Sequence, residues 1–358
     1  PGAGDPMREW GQVRPDGVSV WFAVVGRNKT YATLDLRKDE GRDLLKRLAA
    51  KADILVENFR PGTLEKWGLG WDVLHTLNPR LILTRVSGYG QTGPYAEKAG
   101  YASVGEAFAG FRYPIGEPDR LPARTGTSIG DSLAATFAAL GSVSALHARA
   151  QTGRGQIVDS AIYEACLAMM ESLIPDYQHG HFIRERTGSF LPRIAPSNIY
   201  PTSDGMVIIG ANQDSVFSRL AEAMGEKTLA TDPRYATHIA RGENQAELDA
   251  RVSAWTKKHT SAQVRKMCDD AGVPCGPVNR APDLLAEPHI AAREAIVSAL
   301  HPRIGEIKMQ AAFPKFSETP GAVRWPAKDM GADNEYVWRD LAGVSAEDFS
   351  ALKSKGVI

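Results

Sequence analysis

The residues best placed for chemistry stand at one junction between a loop and a helix. Arg124-Thr125-Gly126-Thr127-Ser128-Ile129-Gly130-Asp131-Ser132 closes a segment rich in proline and glycine and opens an alanine-rich apolar run, Ser132–Leu146. An aspartate at such a junction has two readings. It caps the helix and meets the positive end of its dipole. Alternatively, Gly130 lets a large ligand approach the backbone, and the N–H groups of the helix start steady negative charge on or near Asp131. Spacing alone leaves both open.

Other chemistries find less support. No GxGxxG is read after a strand, and no P-loop or GxSxG is read either, so a dinucleotide fingerprint, a phosphate-binding P-loop and a serine-hydrolase elbow are not expected. Cys166, Cys268 and Cys275 form no CxxC pair, and the eight histidines are scattered without an HxxxH pair, so no metal site is predicted. The thiols read as reduced cysteines of a cytoplasmic protein. Lys plus Arg and Asp plus Glu are both 42, giving a formal net charge of +0. A neutral chain makes nucleic acid a poor partner, and an anionic ligand must be met by local groups. No membrane span is expected, and the apolar Ser132–Leu146 run reads as a buried helix.

The elements that must position Asp131 follow from periodicity. Tyr31–Leu36 alternates as a strand does, Lys38–Ala50 carries a helical stripe, and Ala52–Glu57 is a short apolar run that suggests a buried parallel strand. Leu64–Leu77 reads as helix ended by Asn78-Pro79, Arg80–Ser87 as strand, and Gly88–Gly100 as loop. A helix starts near Tyr101. After the long helix from Asp131 to about residue 150, Gln156–Ser160 is a strand and Tyr163–Gln178 a helix. This alternation predicts an α/β fold with a parallel sheet. Ile199–Gly210 reads as a hairpin around Asp204-Gly205, with helices at 215–224, 246–258 and 262–271 and an extended piece at 272–278. The expected division is a large domain over 1–185, a small α+β domain over 195–295, and a tail from 300 to 358 that returns to the large domain with a strand near 306–310 and a closing helix.

Several motifs in order carry a resemblance. Val56-Glu57-Asn58-Phe59-Arg60-Pro61-Gly62 with Trp67-Gly68-Leu69-Gly70, then Leu77-Asn78-Pro79-Arg80, Gly88-Tyr89-Gly90-Gln91-Thr92-Gly93-Pro94, Ile129-Gly130-Asp131, Gly153-Arg154-Gly155-Gln156 with Val158-Asp159, and Gly272-Val273-Pro274 resemble the class III CoA-transferase family. The resemblance implies a Rossmann-like large domain, an interlocked homodimer, and coenzyme A as substrate and product. It implies that Asp131 is a nucleophile that forms a mixed anhydride and then an aspartyl-CoA thioester. It implies contacts to CoA from Leu34, Arg37, Asn58, Phe59, Lys66, Gly88 and Gly130. Solvated surface is the plainer reading of Arg37 and Lys66. Glu57 and Asp159 are read as structural.

Racemases in the same family pair the aspartate with a histidine after an Ala-Gly. Here Ala99-Gly100 is followed by Tyr101. A tyrosine of ordinary pKa is a poor base for an α-proton, so transfer is favoured and Tyr101 becomes a substrate contact or a packed aromatic at a helix start. The wording around GYGQTGP and the PGAGD start points to succinyl-CoA as donor and a dicarboxylic acid as acceptor. The family's opening strand–helix–strand unit, which supplies part of the CoA pocket, is expected upstream of Pro1. An acyl-CoA racemase, or a CoA-binding protein without catalysis, are the alternatives.

Overall fold

The computed structural model describes residues 1–358. The chain forms two compact units, one of Pro1–Gly105, Ile129–Cys166 and Leu284–Ile358, the other of Glu106–Ser128 and Leu167–Asp283.

The first unit is built on a parallel sheet in the order β1 (Ile54–Glu57), β2 (Ile82–Ser87), β3 (Ile157–Ala161). The central strand is the most deeply buried. Leu81, Ile82 and Leu83 are fully buried, as a strand covered on both faces must be. Asp39–Ala49 supplies the predicted amphipathic helix, burying Leu44 and Ala49. Ile129–Thr152 packs on β2 and β3 through small side chains and hydroxyls. Ser142 Oγ lies 2.7 Å from Thr84 Oγ1, and Ser160 Oγ donates to the Ala134 carbonyl at 3.0 Å. Near the end of this helix Arg149 donates to the Arg80 carbonyl at 2.9 Å and to Asp53 Oδ1 at 2.7 Å.

That helix corrects one expectation. Gly130, Ala134, Ala138, Ser142, Ala145 and Arg149 form its only buried stripe. Leu140 and Val143, on other faces, are about 60% exposed, so this is a half-covered helix and not a buried one. By length and composition it is also apolar enough to cross a membrane, though its stripe is committed to the sheet.

Tyr31–Leu36 is extended but not a strand. Its backbone donors are taken by the chain's far end instead of by a neighbouring strand. Tyr31 N–H bonds Asp333 Oδ2, Thr33 N–H bonds Asn334 Oδ1 and Asp35 N–H bonds the Val357 carbonyl, each at 2.8 Å. The single helix predicted over 64–77 is two, Thr63–Lys66 and Trp71–Leu77, because Gly68 adopts φ +66° between them. The Tyr163–Gln178 helix is likewise broken, into Ile162–Leu167 and Leu173–Gly180, with Glu171 at φ 49° in the break. The tail forms an antiparallel hairpin, β7 (Ile296–His301) with β8 (Gly305–Gln310), on which Ala23 of the Val20–Val25 helix packs. The closing helix is Ala346–Ser354.

The second unit has an antiparallel sheet, β4 (Ser197–Pro201), β5 (Met206–Gly210) and β6 (Cys275–Pro277), with the predicted hairpin at its centre. Helices Asp214–Ala223, Gln245–Thr256 and Ser261–Asp270 close its core around Phe217, Leu220, Val252 and Val264. It also takes in residues well before 195. Gly188 N–H donates to the Gly116 carbonyl at 2.9 Å, and Tyr113 Oη donates to Glu185 Oε1 at 2.8 Å, tying the Pro/Gly-rich loop to this unit.

Gly155 explains the Gly153-Arg154-Gly155 motif. A Cβ there would stand 1.8 Å from the Leu81 carbonyl oxygen, where β3 begins beside β2. Gly155→Ala is expected to destabilise the protein by about 2 kcal/mol or more, measured as a fall in the denaturant midpoint. An unchanged midpoint would contradict this packing.

Candidate active site

The loops that leave the C-terminal ends of the three parallel strands converge on one cavity, as expected for an open parallel sheet. It measures ≈ 320 Å³ and is lined by Asn58, Phe59, Arg60 and Pro61 after β1, by Val86 to Gly88, Ala96 and Lys98 to Tyr101 from β2 and its loop, by Ile162 after β3, and by Asp131. The whole cavity belongs to the first unit.

Asp131 lies in the first turn of Ile129–Thr152, not ahead of it. Ser128 holds the preceding position. The helix dipole therefore favours an anionic Asp131. Asn58, Phe59, Gly88 and Tyr101 share the cavity with it. Gly130 is buried one residue from Asp131 and does not line the space. Tyr101 is 79% exposed, and its carbonyl accepts from Val104 and Gly105, so it also starts the Ala102–Phe108 helix.

Three predicted contacts lie elsewhere. Leu34 packs against the cluster of Leu44, Trp338 and Ile358. Arg37 makes a two-pronged bond to Asp35 at 2.8 and 3.0 Å. That bond, with the Arg37 backbone N–H, holds the half-buried Asp35 carboxyl down to about 2. Lys66 ends the Thr63–Lys66 helix on the surface.

Two cations in the cavity were not singled out from the sequence, Arg60 and Lys98. Lys98 Nζ sits 3.4 Å from the Tyr95 ring centroid, a cation–π contact that orders it. Arg60 was visible within the ENFRPG motif. Lys98 follows Glu97 in a glycine-rich loop and carries no local pattern.

The first loop is held from below. Glu57 Oε2 accepts the Phe59 N–H at 2.7 Å, and Glu57 Oε1 accepts Arg85 Nε at 2.7 Å. Arg85 also reaches Glu65 at 2.8 and 3.3 Å. Burial by itself would lower the Arg85 pKa, but the bonds from Glu65 and Glu57 outweigh it and raise it. Burial likewise pushes Glu65 up, and Arg85 brings it below its ordinary value. The Phe59 ring meets Trp67 edge-on at 5.2 Å. The second loop is held by Asp159 Oδ2, which accepts the Gln91 N–H at 2.9 Å, and by Ser87 Oγ, which accepts the Gly90 N–H at 2.9 Å. Glu57 and Asp159 thus support the loops, as the sequence reading had it.

Two short patterns need correcting. Gly88-Tyr89-Gly90-Gln91-Thr92-Gly93 does follow a strand and fits GxGxxG by letters, and Gly126-Thr127-Ser128-Ile129-Gly130 fits GxSxG. Neither has the geometry its motif needs. The first runs on as loop to Gly100 and opens no helix, and no strand leads into Ser128. No group of three or more His, Cys, Asp or Glu side chains stands together to hold a metal ion.

Comparison with known proteins agrees with this architecture. The model of CoA-transferase family III matches residues 1–334. The chain belongs to CoA-transferase family III. It is 56% identical, over its full length and 89% of the relative, to succinyl-CoA–D-citramalate CoA-transferase of Chloroflexus aurantiacus. It is 38% identical, again over its full length and 89% of the relative, to the succinyl-CoA–L-malate CoA-transferase beta subunit of the same organism. A solved CAIB/BAIF family protein from Brucella suis superposes with a TM-score of 0.83 at 32% identity, covering 94% of this chain and 89% of that one. This family III enzyme is a CoA-transferase, moving CoA from an acyl-CoA thioester to a carboxylic acid.

Gly88 is where the cavity's shape is most sensitive. A Cβ on it would lie 3.0 Å from Gly100 Cα and 3.1 Å from the Gly100 carbonyl oxygen, both backbone atoms that cannot swing aside. Gly88→Ala is expected to part the two backbones and raise KM for the acyl-CoA about tenfold with the fold retained. Steady-state kinetics beside a thermal melt checks this, and a wild-type KM would contradict it.

Proposed function

We propose that this family III CoA-transferase takes succinyl-CoA as donor and passes the CoA to a small dicarboxylic hydroxy acid of the citramalate or malate kind, with Asp131 as the covalent carrier. The observation that carries the reading is the placing of Asp131 at the head of a helix, in one cavity with Asn58, Phe59, Tyr101 and the cations Arg60 and Lys98. The names of the relatives support the choice of donor and acceptor.

The cycle is balanced without any other reactant. The Asp131 carboxylate attacks the thioester carbonyl, the C–S bond breaks, and CoA leaves as thiolate from a succinyl-aspartyl anhydride. The thiolate attacks the aspartyl carbonyl of the anhydride, releasing succinate and leaving an aspartyl-CoA thioester. The acceptor carboxylate attacks that thioester and expels the thiolate again. The thiolate then attacks the acceptor's carbonyl, giving the new acyl-CoA and restoring Asp131. A carboxylate suits this work because its acyl derivative is an activated anhydride. Backbone N–H groups at the helix start would stabilise each oxyanion. Both donor and acceptor carry a second carboxylate, and Arg60 and Lys98 supply the local positive charge that a chain of zero net charge needs.

Racemisation is the weaker reading. No histidine lines the cavity, and Tyr101 stands there instead. Asn58, Phe59, Gly88 and Tyr101 are read as contacts to acyl-CoA, and Gly130 as giving access to the backbone beside Asp131. Leu34, Arg37 and Lys66 lie outside the cavity and would serve the distant nucleotide end of CoA. The reading extends to a Rossmann-like large domain in a cytoplasmic enzyme that works as an interlocked homodimer. The exposed apolar positions Leu140 and Val143 on the long helix support burial against a second copy.

Asp131→Asn is expected to lower transfer from succinyl-CoA to citramalate by about 10³-fold or more. Hydroxylamine added during turnover should trap an adduct on Asp131 in the wild type and none in the variant. Transfer surviving in Asp131→Asn near the wild-type rate would overturn the assignment. Exchange of the α-proton with solvent without any acceptor acid would favour the racemase.

A further inference from the structure

The sheet carries a row of charge whose stability value is doubtful and whose position is not. In the ladder, Glu57 on β1 is registered opposite Arg85 on β2, and Arg85 opposite Asp159 on β3. The row reads acid, base, acid across the strands that feed the cavity, with Glu57 at the end of β1. Each acid does a second job. Glu57 divides its two oxygens between Arg85 Nε and the Phe59 N–H, both at 2.7 Å. Asp159 accepts the Gln91 N–H at 2.9 Å. Phe59 stands in the cavity's first loop, and Gln91 in the loop that leads to Lys98 and Tyr101.

Burying Glu57 and Arg85 is a poor way to stabilise a sheet. An apolar pair of similar volume would hold these strands as well or better, since the desolvation of two charges offsets most of their attraction. What an apolar pair cannot do is accept a backbone N–H. A carboxylate can, with its second oxygen, and a neighbouring guanidinium keeps it charged and in a fixed rotamer.

We infer that the Glu57–Arg85–Asp159 row positions the site: it locks the loops after β1 and β2 to one common rung of the sheet, and so keeps the acyl-CoA pocket in its binding shape. These are positioning residues, since none of them lines the cavity. A loop that loses its anchor must be ordered again when acyl-CoA binds, so the row acts on binding through loop placement. The inference rests on the reading that this cavity binds acyl-CoA and that Asp131 carries the acyl group.

The test uses Glu57→Gln and Asp159→Asn in the full chain. A glutamine at 57 keeps one acceptor oxygen and must abandon either Phe59 or Arg85. Each variant is expected to raise KM for succinyl-CoA about tenfold while kcat falls by less than about threefold. The double variant should lose about the product of the two, because the two acids hold different loops through separate hydrogen bonds. A purely structural role would lower the melting temperature and the active fraction, moving kcat and leaving KM in place, and that result overturns the proposal. So does a wild-type KM in both variants. Should Glu57→Gln fail to fold, Asp159→Asn, at an exposed position, decides the matter alone. Asp131→Asn run alongside separates the two ideas. If it retains transfer, the covalent cycle is wrong. If it is dead while the row variants keep a wild-type KM, the cycle stands and the row inference falls.

Discussion

The structure turns on how closely one helix lies against a short parallel sheet. Gly130, Ala134, Ala138, Ser142 and Ala145 form the face of Ile129–Thr152 that meets β2 and β3. Gly141 shows how little room there is, since a Cβ on it would reach within 2.7 Å of Val158 Cγ1. Larger side chains anywhere on this contact would lift the helix, and the first casualty would be its first turn, which delivers Asp131 to the strand ends. The hydroxyl bonds of Ser142 and Ser160 fix rotation and height in a contact too small for apolar side chains to specify.

The strands then do the rest by direction alone. All three run the same way, so their exits gather at one edge, and each exit contributes to one cavity. The exits are loops that need anchoring, and the anchors are polar. Ser87, Glu57 and Asp159 take backbone N–H groups that the sheet itself cannot satisfy. The central strand shows the division of labour clearly. Its first half is Leu and Ile and belongs to the core, whereas Arg85 and Ser87 in its second half belong to the loops.

What was legible in the sequence follows from which forces are local. The Asp39–Ala49 helix, the strands of the parallel sheet and the 197–210 hairpin each carry their own periodicity or turn signal, and they stand where periodicity put them. The extended Tyr31–Leu36 segment has the same alternation but pairs with Asp333, Asn334 and Val357, some three hundred residues away, which no window of sequence can foresee. The break at Gly68 rests on a positive φ that a lone glycine inside a helical reading does not announce. At the site, the motifs marked Asn58, Phe59, Tyr101 and Asp131, and these do meet. Lys98 was missed because its importance comes from the fold bringing its loop over the cavity. Arg37 lies outside the cavity and bonds Asp35, a partner that a charge beside a motif does not reveal.

The position of Asp131 within its helix bears on how it can act. An aspartate ahead of the first turn spends its carboxylate on the helix's own N–H groups. One inside the first turn is still favoured as an anion by the dipole, by about 0.3–1 kcal/mol at an exposed end. In the proposed cycle the carboxylate must be anionic at rest, neutral as anhydride or thioester, and next to an oxyanion at each transition state. A field that held the resting anion strongly would blunt it as a nucleophile. A weak dipole effect costs little in the ground state, while N–H groups aimed at the developing oxyanion gain far more. The same geometry that places Ser128 before the helix and Asp131 within it brings the aspartate to the cavity under a dipole that favours its anion, the form a carboxylate needs if it is to attack once and be restored once in each turnover.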